Sequence, residues 1–289
     1  MSSSLIIAYL FLGGAGAGML LVLSAMSFFF PARGLSVDGA GRLRPLGTHA
    51  RLYGLGYCVS AITCAVAALC LVFDMARPDA ILGLILHPNA SVVSVGAYAL
   101  GLCIAAGAVL SAFWLTRIGP RVALCRIVSA LACVAALVVM AYTGLLLGII
   151  PHVAFWQSPL IVALFMLSSL SCGLALAVLA MMAFRLLPLF RDVASRLLAI
   201  DGALIAIELA VLAVFGACSM QTAPEAMETL TTGSLATLFW AGLVAAGLVV
   251  PLAMELALRA KRAEIHPCIP ALLVLAGGAC LRICIVFAA

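Results

Sequence analysis

The sequence predicts an all-α integral membrane protein with eight transmembrane helices, and three observations carry that expectation. Composition is the first: 67% of the 289 residues are hydrophobic and 9% charged, against about a quarter charged in a soluble domain. With 15 Lys+Arg and 10 Asp+Glu, a water-soluble fold of this length could not cover its surface. The second is a series of eight apolar runs, each near the ~20 residues that cross about 30 Å of hydrocarbon. The third is the strict alternation of basic and base-poor connections between them.

The first run, residues 5–30, has no Lys or Arg before it and extends over 26 residues. That is too long for a signal-peptide core, so it reads as a retained span. Its Gly13, Gly14, Gly16 and Gly18 superficially suggest a dinucleotide loop, but no strand precedes them and no acidic partner follows at the right distance. Close helix packing through a small-xxx-small face, Gly14 to Gly18, explains them better. The next runs cover residues 50–73, 92–115, 124–149, 160–184, 197–218, 234–254 and 268–287. The longest connection is 31–49, so the sequence reads as a single transmembrane domain, 1–289.

Arg33, Arg42, Arg44 and Arg51 flank the first connection, Arg117, Arg121 and Arg126 the third. Arg185, Arg191 and Arg196 flank the fifth, and Arg259, Lys261 and Arg262 the seventh. These are 13 of the 15 basic residues; the others are Arg77 in the second connection and Arg282 inside the last span. The sixth connection carries Glu225 and Glu228. The positive-inside rule therefore expects the odd connections in the cytoplasm and both termini outside, in the cell membrane. The net charge of +5 describes sidedness and gives no support to nucleic-acid binding.

Several chemistries fall away. The eleven cysteines lie in or beside apolar runs and form no CxxC pair, so they read as small packing residues, with no iron–sulfur cluster expected in this chain. His49, His87, His152 and His266 lie in connections or at span ends, which argues against a bis-His haem between facing helices. HExxH and GxSxG are lacking as well. If the protein takes part in redox chemistry, the redox centres belong to a partner.

Ionisable residues inside a span are functional candidates by default. Asp201 and Glu208 lie seven residues apart on one face of the sixth span, Arg196 begins that helix, and Arg282 lies deep in the eighth. A Glu208–Arg282 or Asp201–Arg196 clasp and a proton path are the two readings. Glu255 reads as a helix-end charge beside Arg259. A second group converges on the outer face: Tyr9, then Asp74 and Arg77, then His87 with Pro88, Asn89 and Ser91, then Tyr142, His152, Trp156 and Gln157. An interfacial aromatic belt accounts for Trp156 alone, but the opposite face is almost purely basic, and no comparable aromatic set is expected there. Phenol and imidazole donors beside an apolar wall suit a lipid-soluble quinone, whose head group needs donors and whose tail needs hydrocarbon.

The segments AYLFLGGAGAG (8–18), DMARPD (74–79), HPNAS (87–91), GAY (96–98), YTGLLLG (142–148), FWQSPL (155–160) and LFMLSSLSCG (164–173) resemble the polysulfide reductase membrane-subunit family, NrfD/PsrC-like. The resemblance implies an eight-helix, haem-free anchor built as two four-helix bundles. It also implies partners on the outer face, a four-cluster iron–sulfur subunit and a molybdopterin catalytic subunit, with electrons exchanged with menaquinone, bound as substrate. It assigns Tyr142 to the quinone. Tyr9 stands at the position of a first-helix histidine, and Ile6 where some members carry an asparagine. Asp74 matches the family's buried acid and Arg196 its arginine at the start of the sixth span. The expected quinone-binding set is Tyr9, Tyr142, His87, His152 and Trp156, and the expected proton path is Asp74, Arg77, Arg196, Asp201, Glu208 and Arg282.

Two other readings compete. A secondary transporter could use the same intramembrane charges, although residues 1–149 and 150–289 show no convincing self-similarity. A purely structural anchor would touch no quinone.

Overall fold

A computed structural model describes residues 3–29, 35–37, 43–45, 47–74, 92–116, 122–149, 153–259 and 266–288. Eight helices in it are long and apolar enough to cross a membrane, as the composition predicts. Spans one to six are Ser3–Phe29, Gly47–Asp74, Val92–Leu115, Val122–Gly148, Pro159–Ala183 and Arg191–Thr222. Span seven is Leu238–Leu258 and span eight Cys268–Phe287. In the connection after span one, Leu35–Val37 pairs antiparallel with Leu43–Pro45.

Two boundaries differ from the apolar runs for physical reasons. Span six starts at Arg191, six residues before its run, and has 32 residues. At 1.5 Å per residue it is about 48 Å long, so its ends outreach the hydrocarbon and its first two turns tolerate Arg191 and Arg196. Span seven starts four residues later than its run because the helix Pro224–Thr231 ends in a turn first, closed by Gly233 N–H on the Glu228 carbonyl at 2.8 Å. Most of span seven, Leu238–Val249, is π-helical, and Pro251, two residues beyond it, has no N–H for the preceding turn.

Spans one to four form one four-helix bundle and spans five to eight the other. Spans one and five join them, and 61% and 67% of their most apolar stretches are buried, against 28% for spans two and seven. Lipid supplies no hydrophobic force between helices, so association depends on close packing of small residues. The joint shows it: a Cβ on Gly173 would collide with the backbone of Gly18 and Met19, and one on Gly18 with the Ser169 carbonyl. The expectation of a packing role for Gly18 holds, with span five as the partner. Span five itself starts on a cap, Ser158 accepting from Leu160 N–H with Pro159 at the first helical position.

Candidate functional site

Tyr9 on span one and Tyr142 on span four are both buried. Their rings meet edge to face, with centroids 6.5 Å apart and planes at 69°. Each is six residues from a helix end, Tyr9 from Ser3 and Tyr142 from Gly148, so both lie at the end of the bundle opposite the arginine-rich connections. Gly96 on span three admits the Tyr142 ring, which fills the space a Cβ would take. The two hydroxyls lie near each other, yet neither has a hydrogen-bond partner among the described residues. An unsatisfied buried hydroxyl costs about 1–3 kcal/mol, so the pair can donate to a polar group brought within reach.

Trp156 sits at the same end, but its indole N–H donates to the Ile285 carbonyl at 2.9 Å. The donor expected for a ligand instead ties the fourth connection to span eight. His87, His152 and Arg77 lie outside the described residues, as does the side chain of Asp74, which closes span two.

One residue beyond Tyr9, the Leu10 carbonyl accepts from Arg282 Nε at 3.2 Å. Arg282 is fully buried. Its Nη1 donates to Ser168 Oγ at 3.0 Å and the Gly278 carbonyl at 2.7 Å, and Nη2 to Ser169 Oγ at 2.9 Å. The guanidinium also lies 5.7 Å from the Phe11 ring centroid and 5.3 Å from that of Phe165. The expected Glu208–Arg282 clasp is therefore indirect: Ser168 takes the arginine bond, and Glu208 approaches the same hydroxyl.

The expected Asp201–Arg196 clasp is replaced by other contacts. Arg196 is exposed while Asp201 is buried, and five residues turn a helix by about 140°. Asp201 accepts from Ser171, and Gly202 beside it packs against Glu255. Glu255 is buried at 2% exposure, and the side chain of Arg259, its expected neighbour, lies outside the described residues. The serines of span five are the residues that sequence reasoning passed over. Serines at 168, 169 and 171 inside an apolar run were the available signal. The expectation of aromatic asymmetry is also corrected: Tyr53 stacks on Trp114 at 4.6 Å and on Tyr57 at 6.4 Å, at the arginine-rich end. The two sets differ in chemistry, because the Tyr57 hydroxyl has Ser24 as a partner while Tyr9 and Tyr142 have none among the described residues.

The family model described as "Polysulphide reductase, NrfD" matches residues 3–289. The protein belongs to the NrfD family. Among curated proteins, the C subunit of polysulfide reductase from Wolinella succinogenes is 28% identical over 304 residues, spanning 97% of this sequence and 91% of that protein. As an NrfD-family member it is a multi-pass membrane protein, and the tyrosine pair sits in spans one and four of the shared region.

Proposed function

We propose that this protein is the quinone-reactive membrane anchor of a respiratory oxidoreductase in the cell membrane. It exchanges electrons between menaquinone and an iron–sulfur subunit docked on the outer face, with a molybdopterin subunit beyond it. The observation that carries this reading is the pair of buried, unpartnered hydroxyls on Tyr9 and Tyr142. A quinone head group presents carbonyl oxygens that accept hydrogen bonds, and the phenols are donors held ready for them. Apolar helix faces receive the isoprenoid tail. The base-poor end of the bundle, which holds the pair, is the outer one by the distribution of arginines, with both termini on that side. The direction of electron flow follows from the partner's own substrate.

The residues of this protein orient the head group and offer hydroxyls through which its protons exchange; the electrons pass to the partner. Membership in the NrfD family and the likeness to a polysulfide reductase subunit support the reading.

In the intact complex, Tyr142→Phe and Tyr9→Phe are expected to lower kcat/KM for a menaquinol analogue about tenfold each, the loss of one hydrogen bond of roughly 1.5 kcal/mol. Unchanged oxidation in both variants overturns quinone contact at this pair and leaves a structural anchor.

A further inference from the structure

The two bundles also meet at the arginine-rich end, away from the tyrosine pair. An apolar cavity there is walled by Met19 and Leu23 of span one, Leu52 of span two, and Met181, Phe184 and Leu186 at the close of span five. Phe184 is 38% exposed, so the cavity reaches the surface beside it. Leu189, in the same connection, is 62% exposed. His49, at the start of span two, meets the Phe190 ring edge to face with centroids 5.0 Å apart. That contact holds the start of span two against the fifth connection.

Basic residues stand directly beside this cavity. Arg51 immediately precedes Leu52, and Arg185 lies between Phe184 and Leu186; both are exposed. Arg185 has φ 57°, the left-handed backbone in which a helix usually ends on glycine. The turn is fixed around it: Arg185 N–H donates to the Met182 carbonyl at 2.9 Å and Leu186 N–H to the Met181 carbonyl at 2.7 Å. A glycine would take this conformation without strain, so the turn by itself gives no reason for an arginine. Arg191 and Arg196 follow in the first two turns of span six. Asp192 is the one acid against four arginines in residues 47–56 and 181–197.

We propose that this joint binds an anionic phospholipid, with its phosphate held by Arg51 and Arg185 and an acyl chain lying over Phe184 and Leu189 toward the apolar cavity. The chemistry of the two parts selects that occupant. A guanidinium binds phosphate oxygens through parallel N–H donors, and the apolar wall beside it takes hydrocarbon. Free phosphate would leave the apolar wall unused, and a zwitterionic phospholipid brings a cation that the arginines repel. Basic pockets between transmembrane helices bind anionic head groups in this way. A lipid seated here touches spans one and two of one bundle and span five of the other, so it fastens the joint between them. The site is independent of the quinone reading, and its test involves no turnover.

The native complex is placed in phosphatidylcholine vesicles with a trace of phosphatidylglycerol that carries a diazirine in its acyl chain, irradiated, and its labelled peptides are mapped by mass spectrometry. The same diazirine on phosphatidylcholine is the reference. Peptides carrying Leu52 and Phe184 are expected to take the phosphatidylglycerol probe about 25-fold more than the reference, about fivefold for each of two arginines, and excess unlabelled phosphatidylglycerol displaces it. Arg185→Gly, which the turn accepts, and Arg51→Gln each lower that excess about fivefold. Arg126→Gln, exposed at the same end on span four, leaves it unchanged. Equal labelling by the two probes, or an excess that survives in both Arg51→Gln and Arg185→Gly, overturns the proposal. An excess that falls as far in Arg126→Gln also overturns it, because the basic face as a whole then attracts the lipid.

Discussion

Two buried tyrosines and one buried arginine show how few side chains set the chemistry here. Tyr9 and Tyr142 place hydroxyls where the described residues offer them no bond, whereas Arg282 satisfies four donors' worth of bonding on spans one, five and eight. A lysine could not reproduce the guanidinium's planar fork. Arg282→Lys is therefore expected to destabilise the detergent-solubilised protein by about 1–3 kcal/mol, read as a lowered Tm of the intact complex; an unchanged Tm would contradict the bonding described. At this scale the sequence was partly legible. The convergence of Tyr9 and Tyr142 followed from span count and direction, because each lies a fixed number of residues from its helix end. The burial of Glu255 was not legible, because nothing in a linear sequence says which side of span seven faces span six. The bond of the Trp156 indole was not legible for a similar reason: its N–H donates to a carbonyl 129 residues away.

The elements follow from apolar length more closely than from local signals. All eight spans could be read from runs of about 20 apolar residues, and the Ser-Pro of the fourth connection is accounted for as the cap of span five. The start of span six lay beyond reach because a scan for apolarity stops at Arg196, while a helix continues as long as its backbone bonds close. The π-helical turns of span seven leave no such compositional mark. Contact between spans one and five depends on missing side chains, so Gly173→Ala must push apart two backbones already in contact at Gly18. Overpacking of this kind costs about 1–3 kcal/mol. The expected result is a reduced yield of assembled complex, compared by size-exclusion chromatography with Gly101→Ala, whose Cβ would meet nothing within 4 Å. Equal yields would contradict the joint.

At the scale of the whole molecule, two four-helix bundles meet along spans one and five, with the unsatisfied phenols toward one end and the buried acids Asp201 and Glu255 toward the other. The polar groups of Arg282, Ser168, Glu208, Ser171 and Asp201 lie between them. On the proposed reading, a lipid-soluble reactant would sit beside the face where a redox partner docks. The central claim is tested most directly by irradiating the native complex with a photoactivatable menaquinone analogue and sequencing the labelled peptides. Label on peptides carrying Tyr9 and Tyr142, displaced by excess menaquinone, is the predicted result. Label confined to the apolar cavity walled by Leu212, Phe215, Leu243 and Leu281, with none on spans one and four, would contradict it.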